Sequence, residues 1–225
     1  MEAIQDEKEI DKVMFRQGIK GDLFQQLFSL VRERQIQFQY VPEEVFKPFA
    51  GKNHQGVLAE ISPIPYQDIN TVVDTVVAEG KMPLILILDR ITDVRNLGGI
   101  AGVSAILIPN KNSAKISSDA IKTSAGALYH LPVCREKNLK KTIKELKRRG
   151  LTLFAATEKA DKFYTEVDMK EGCMIIMGAE DTGIDEELLV LADQQIKIPQ
   201  YGKIESLNVS AAAAILVYEA VRQRR

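Results

Sequence analysis

LILILDRITDVRNLGGIAGVSAILIP, Leu84 to Pro109, decides how the fold of this chain is read. Its two ends, LILIL at Leu84–Leu88 and AILIP at Ala105–Pro109, are apolar almost throughout. Strands buried on both faces read this way. CMIIM at Cys173–Met177, LTLFAA at Leu151–Ala156 and QIKIP at Gln195–Pro199 have the same character. Between such runs, Leu139, Ile143 and Leu146 recur at helical spacing until Gly150 stops the pattern. Strands alternating with helices predict an α/β domain with a parallel sheet covered on both sides.

The middle of the quoted stretch does not fit that expectation. A parallel crossover takes about a dozen residues or more, normally with a helix of its own. Residues 90–104 hold a glycine pair, a further glycine and no helical periodicity. Either the two strands pair in another way, or residues that would fill the crossover are absent.

Upstream, strand and helix signals alternate on a smaller scale. Val13–Phe15 is short and apolar; Leu23, Leu27, Leu30 and Val31 have helical spacing; Ile36–Val41 returns to strand composition. Pro42 opens a short helical segment, proline being tolerated in a first turn. GVLAEIS at Gly56–Ser62 reads as a strand, and SPIPYQD at Ser62–Asp68, with two prolines, as the linker. Ile69, Val72, Val73, Val76 and Val77 mark one face of an amphipathic helix. The expected organisation is an N-terminal domain over 1–62, a linker with its leading helix over 63–80, and the main domain over 81–225.

Composition excludes several function classes. The 225 residues are 45% hydrophobic and 27% charged, ordinary for a globular protein. No apolar run approaches the roughly 18 residues of a membrane span, and the polar, acidic start MEAIQDEKEIDK is no secretory signal. Cys134 and Cys173 stand far apart, with only His54 and His130 to join them, so neither a metal site nor a disulfide framework is expected. A reducing cytoplasm fits. The net charge of −1 argues mildly against bulk electrostatic binding of nucleic acid but leaves room for a local patch. Lys137, Lys140, Lys141, Lys144, Lys147, Arg148 and Arg149 crowd one helix and read as a solvated face.

Three segments follow buried-looking strands, where open α/β sheets place ligands. They are DRITDVRNLGGI (Asp89–Ile100), IIMGAEDTGI (Ile175–Ile184) and IPQYGKIESLNVSAAAAILVYEA (Ile198–Ala220). In the third, a polar Ser206-Leu207-Asn208 turn is set against a helix of small residues. A cap at Ser206 or Asn208 with an alanine-rich core helix is one explanation; space cleared for a ligand is the other. No GxGxxG or Walker-type phosphate loop occurs, since Gly98-Gly99 lacks the spacing, which counts against a generic nucleotide-binding enzyme.

Together the three segments resemble the SpoU (TrmH-like) ribose 2′-O-methyltransferases of the SPOUT class, over nearly the whole chain. GKNHQGVLA (Gly51–Ala59) and SAGALYHLPV (Ser124–Val133) bring it closest to the RlmB-type enzymes, which methylate a guanosine ribose of large-subunit ribosomal RNA. The resemblance implies a parallel sheet whose C-terminal portion forms a trefoil knot, and a small N-terminal α/β domain of ribosomal-protein type that binds RNA. It implies a homodimer, ribosomal RNA as partner, and S-adenosylmethionine as methyl donor without a metal. Gly178, Ile198 and Leu207 are then expected to line the cofactor pocket, Gly178 because a residue without Cβ lets the main chain approach closely. Asn96, Glu180, Ser206 and Asn208 are expected as catalytic-site residues, and Thr157 as a border of the cofactor.

One departure from the family pattern is plain. After Asn-Leu-Gly-x-Ile the family continues into a helix carrying Arg-Thr-Ala, whose arginine is the proposed proton acceptor. Here NLGGI runs straight into AGVSAIL, about six residues short by that pattern, and no arginine holds the place; Arg95 precedes the asparagine and does not fill it. The gap coincides with the crossover that does not fit, and an opening N-terminal strand also looks missing. An omitted segment is the expected cause; a genuine deletion would leave a non-catalytic RNA-binding or ribosome-assembly module. Transfer RNA enzymes share the catalytic motifs, so a tRNA ribose methyltransferase is the other alternative.

Overall fold

The computed structural model describes residues 4, 9–91, 102–111, 113, 116, 121, 122, 126–200 and 207–225. The chain divides into two units, Met1–Pro65 and Tyr66–Arg225. The smaller unit runs β1 (Ile10–Arg16), α1 (Asp22–Glu33), β2 (Phe38–Val41), a 3₁₀ helix (Glu43–Phe49) and β3 (Val57–Ile61). Its sheet has the order β2-β1-β3, with β2 parallel and β3 antiparallel to β1. Phe15 from β1 is fully buried, and Phe24 and Phe28 of α1 meet its ring edge-on at 5.3 and 5.9 Å. Edge-to-face geometry brings the positive rim of one ring to the negative face of the next.

The segment after Pro42 differs from the expectation. Pro42 is the N-cap rather than a residue of the first turn, and the helix is 3₁₀ with Pro48 inside it. A proline without an N–H cannot extend an α-helical ladder, so the segment stays short and tight. His54 serves its own turn: its Nδ1 accepts the Gly56 N–H at 3.0 Å, and its ring packs on Phe46.

The larger unit carries a sheet of seven parallel strands in the order β6-β5-β4-β9-β7-β10-β8. These are β4 (Leu84–Leu88), β5 (Ala105–Pro109), β6 (Val133–Glu136), β7 (Thr152–Ala156), β8 (Lys162–Phe163), β9 (Cys173–Met177) and β10 (Gln194–Lys197). Its α-helices among the described residues include α2 (Ile69–Ala78), α3 (Leu139–Arg148), α4 (Glu186–Leu189) and α5 (Val209–Gln223). Ile85, Ile87, Met174 and Ile176 form one core cluster with Ile69, Val72 and Val73 of α2 and Leu139, Ile143 and Leu146 of α3. The alternate residues Leu84, Leu86, Leu88 and Ile175 are equally buried but lie outside that cluster, toward the opposite face. Helix α5 packs along β9 and buries Ala213, Leu216, Val217 and Ala220. Each large apolar side chain so buried contributes about 1.5–3 kcal/mol.

The first explanation for the difficult crossover is overturned. Strands β4 and β5 pair in parallel, with Ile85 opposite Ala105, Leu86 opposite Ile106 and Ile87 opposite Leu107. Parallel pairing of neighbours buried on both faces survives the short connection; residues 92–101 within it lie outside the described residues. The knot expected from the resemblance is not shown by the described residues; 201–206, between β10 and α5, lie outside them. Strands β6 and β8 were not expected. VCRE and KF are too short and too mixed to announce themselves, and form where β5 and β10 offer them an edge.

The basic helix is tied to its neighbours. Lys140 meets Glu187 at 2.9 Å, Lys147 meets Asp193 at 2.8 Å, and Arg149 pairs with Asp74. Surface pairs of this kind contribute about 0–1 kcal/mol each.

Candidate active site

A cleft of about 370 Å³ opens at the carboxyl ends of β7, β9 and β10. It is built from four separated pieces of chain: residues 156–159 after β7, 177–184 after β9, 196–200 at the end of β10, and Leu207 with the first turns of α5. Parallel strands ending together leave free backbone N–H and C=O groups at one edge, which suits a ligand. The volume lies within the usual range for small-molecule pockets, about 300–1,000 Å³.

Four of the expected site residues line this cleft: Gly178, Glu180, Ile198 and Leu207. Thr157 lines it too. Ile198 lies one residue beyond β10, and Leu207 two residues before α5. Glu180 is exposed, on the turn after β9. Asn208 does not line the cleft. Its Oδ1 accepts the Ser210 N–H at 2.9 Å and the Ser210 hydroxyl at 2.6 Å, capping α5. Asn96 and Ser206 lie outside the described residues.

Gly178 also has a steric reason of its own to be glycine. A Cβ built on it would stand 2.1–2.2 Å from the Gly183 carbonyl group and the Ile184 nitrogen. No real Cβ is found that near another heavy atom. Gly178 is therefore glycine because the chain folds back upon itself there, whatever also occupies the cleft. The returning strand is held by the Gly183 N–H, which donates to the Ala179 carbonyl at 2.8 Å, and Gly183 has φ +67°. A residue with positive φ closing so tight a turn is ordinarily glycine.

Asp89 and Arg90 open the first motif, but sequence reasoning gave neither a role of its own. Asp89 ends β4 as a nearly fully buried carboxylate, and its Oδ2 accepts the Asp185 N–H at 2.8 Å. Arg90 Nη2 donates to the Gly183 carbonyl at 3.2 Å. Asp89 was visible only as a charged residue closing an apolar run, a weak sign of a strand end. The cleft wall itself mixes Ile184, Ile198, Leu207, Ala212 and Leu216 with the charged side chains of Glu158, Lys159, Glu180 and Asp181. Such a wall suits a ligand with an apolar ring and a cationic or polar end.

The thiols lie elsewhere and are inert. Cys134 and Cys173 are buried and unpaired by disulfide. Burial pushes Cys134 up to about 12 and Cys173 up to about 11, so neither is a thiolate near neutrality.

Comparison with known proteins agrees with this architecture. Residues 83–218 match the model of the SpoU rRNA Methylase family, and residues 1–67 match that for RNA 2'-O ribose methyltransferase substrate binding. The chain is 30% identical over 231 residues to YacO of Bacillus subtilis (strain 168), assigned to the TrmH family of tRNA/rRNA methyltransferases, covering 100% of this chain and 92% of that protein. An alignment longer than the 225-residue chain requires gaps on this side of it. A crystal structure of an RNA 2'-O ribose methyltransferase is similar at 26% identity and TM-score 0.58, over 99% of this chain and 84% of that one. AviRb from Streptomyces viridochromogenes, solved with AdoMet, shares the fold at TM-score 0.63 and 20% identity, over 99% and 86% of the two chains. With its cleft at the strand ends and both family models matched along its length, the chain belongs to the SpoU rRNA methylase family.

Proposed function

We propose that this protein transfers a methyl group from S-adenosylmethionine to a ribose 2′-hydroxyl of RNA, a guanosine of large-subunit ribosomal RNA being the preferred target. The observation that carries the reading is the convergence of Gly178, Glu180, Ile198 and Leu207, from the second and third motifs, on one cleft. The cleft fits the methyl donor in size and character: backbone edges and apolar side chains for an adenosyl group, carboxylates for a sulfonium. Bound there, the cofactor supplies an electrophilic methyl group and needs no metal.

In this reading Gly178, Ile198 and Leu207 hold the cofactor. Gly178 and Ile198 present main chain, and Leu207 adds an apolar surface. Glu180, with Asn96 and Ser206, orients the ribose and its hydroxyl, a poor nucleophile that needs positioning and a route for its proton. Asn208 acts beside them by fixing the start of α5. The N-terminal unit brings the RNA, in keeping with the substrate-binding model it matches. The protein acts as a homodimer, for which the exposed Tyr218 of α5 offers apolar surface.

A second reading, a cofactor-binding RNA module without turnover, is favoured by one observation: no arginine occurs between Asn96 and Val103. One experiment separates the two. The protein is incubated with methyl-labelled S-adenosylmethionine and either unmodified ribosomal RNA or transfer RNA, and the RNA is then hydrolysed in alkali. A 2′-O-methyl group blocks cleavage at its own linkage, so label in an alkali-resistant dinucleotide is the expected result. Label in mononucleotides refutes ribose methylation. Bound cofactor without label favours the module.

A further inference from the structure

The wall of the cleft that carries Glu180 is held from outside. Arg90 has φ +57°, and among the described residues of its unit no other non-glycine residue has positive φ. This left-handed conformation costs an L-residue energy that a glycine would be spared. Strain at a residue next to a binding site points to a function for its side chain. To described residues the side chain makes two bonds: Nε to Asp89 Oδ2 at 3.3 Å and Nη2 to the Gly183 carbonyl at 3.2 Å.

Asp89 completes the arrangement. Its Oδ2 takes both the Arg90 Nε–H and the Asp185 N–H, while its own N–H donates to the Met177 carbonyl at 2.8 Å. The cleft-forming turn is thus gripped at Gly183 by Arg90 and at Asp185 by Asp89, on either side of Ile184. Gly178 presses against that same Gly183–Ile184 backbone. Loops with few apolar anchors open easily, and a preformed site binds its ligand with less ordering cost.

We propose that Asp89 and Arg90 are positioning residues: a strap behind the cleft that keeps the Gly178–Ile184 wall in its ligand-ready shape. The statement rests on the reading that this cleft binds S-adenosylmethionine, and concerns how tightly it does so. Arg90 does not line the cleft; it acts through the Gly183 carbonyl.

The strain makes the test discriminating. Arg90→Gly removes the Arg90 half of the strap and the strain together; Arg90→Ala removes that half and keeps the strain; Arg90→Lys keeps a donor. Thermal unfolding, calorimetric binding of S-adenosylmethionine and amide hydrogen exchange are measured on each full-length variant. Arg90→Gly is expected to melt no lower than the wild type, yet to bind the cofactor about tenfold more weakly, the order expected for one lost charged hydrogen bond. Exchange at the Gly183 and Asp185 amides is expected to speed up while the rest of the sheet keeps its protection. Arg90→Ala weakens binding alike and also melts lower, and Arg90→Lys recovers part of the affinity. Wild-type affinity and wild-type exchange in Arg90→Gly overturn the strap. A wild-type protein that binds no cofactor refutes the function proposed for the cleft, and the exchange measurement then still decides the strap.

Discussion

Arg224 is expected to be the most costly polar side chain to remove from the larger unit. It stands at the C-cap of α5. Its Nε donates to the Met169 carbonyl at 3.0 Å, Nη1 to Met82 at 2.7 Å, and Nη2 to Pro83 and Glu171 at 3.2 and 2.6 Å. Nη2 also lies 3.4 Å from Cys173 Sγ. These carbonyls belong to the turns that lead into β4 and β9, neighbouring strands in the middle of the sheet. Arg224→Met keeps an apolar stem of similar reach and removes every donor. The bonds to Met169 and Pro83 are part-buried, whereas those to Met82 and Glu171 open to water, which replaces them. Two shielded bonds to a charged donor at about 1.5 kcal/mol each give about 3 kcal/mol. Releasing a rotamer-rich side chain returns about 1 kcal/mol. The expected loss is therefore about 2 kcal/mol, or a fall in Tm of about 4–8 °C for a unit of this size. Urea unfolding followed by circular dichroism is the assay, with the midpoint lowered and the slope unchanged. Arg224→Lys retains the charge but not the planar fork, and is expected to lose about half as much. A methionine variant within about 0.5 kcal/mol of wild type would refute the reasoning, because that is the range of ordinary surface substitutions.

Gly178→Ala is expected to cost about 2–3 kcal/mol by overpacking and to abolish cofactor binding, since the new Cβ meets backbone at 2.1–2.2 Å; calorimetry on the purified variant checks both. Asn208→Ala is expected to lose about 1 kcal/mol in the same urea assay, and Asn208→Ser to recover most of it, because the cap asks only for an acceptor. The buried thiols give a pH dependence. Their folded pKa values are raised to about 11 for Cys173 and about 12 for Cys134, above an ordinary value of 9.0. Their contribution is fully present below pH 9 and is lost as pH climbs toward the folded values, by about 1.4 kcal/mol per pH unit per thiol. Stability measured from pH 8.5 to 10.5 is expected to fall less steeply in Cys134→Ala than in wild type. Parallel slopes for the two proteins would remove the thiol from the account.

The strands LILIL, AILIP and CMIIM were legible to the residue, because a run buried on both faces has no polar position and is closed by proline, aspartate or glycine. Helices α2 and α3 were legible from one apolar face each. Strands β6 and β8 were not, since their pairing is decided by the edges that β5 and β10 offer. In the site, Gly178, Glu180, Ile198 and Leu207 were marked by motif, and their meeting in one cleft is geometric. The roles of Asp89 and Arg90 were not legible because their partners, Asp185 and Gly183, lie more than ninety residues along the chain.

By itself the sequence determined the class of fold, two of the segments that line the cleft and the family to which the chain belongs. Burial periodicity and glycine placement are local properties, written in consecutive residues. The order of the seven strands, the reason Gly178 tolerates no side chain and the strap behind the cleft were decided by tertiary structure. Hydrophobic burial has no direction of its own; which strand lies beside which, and which carbonyl an arginine reaches, is settled only when distant segments pack to contact.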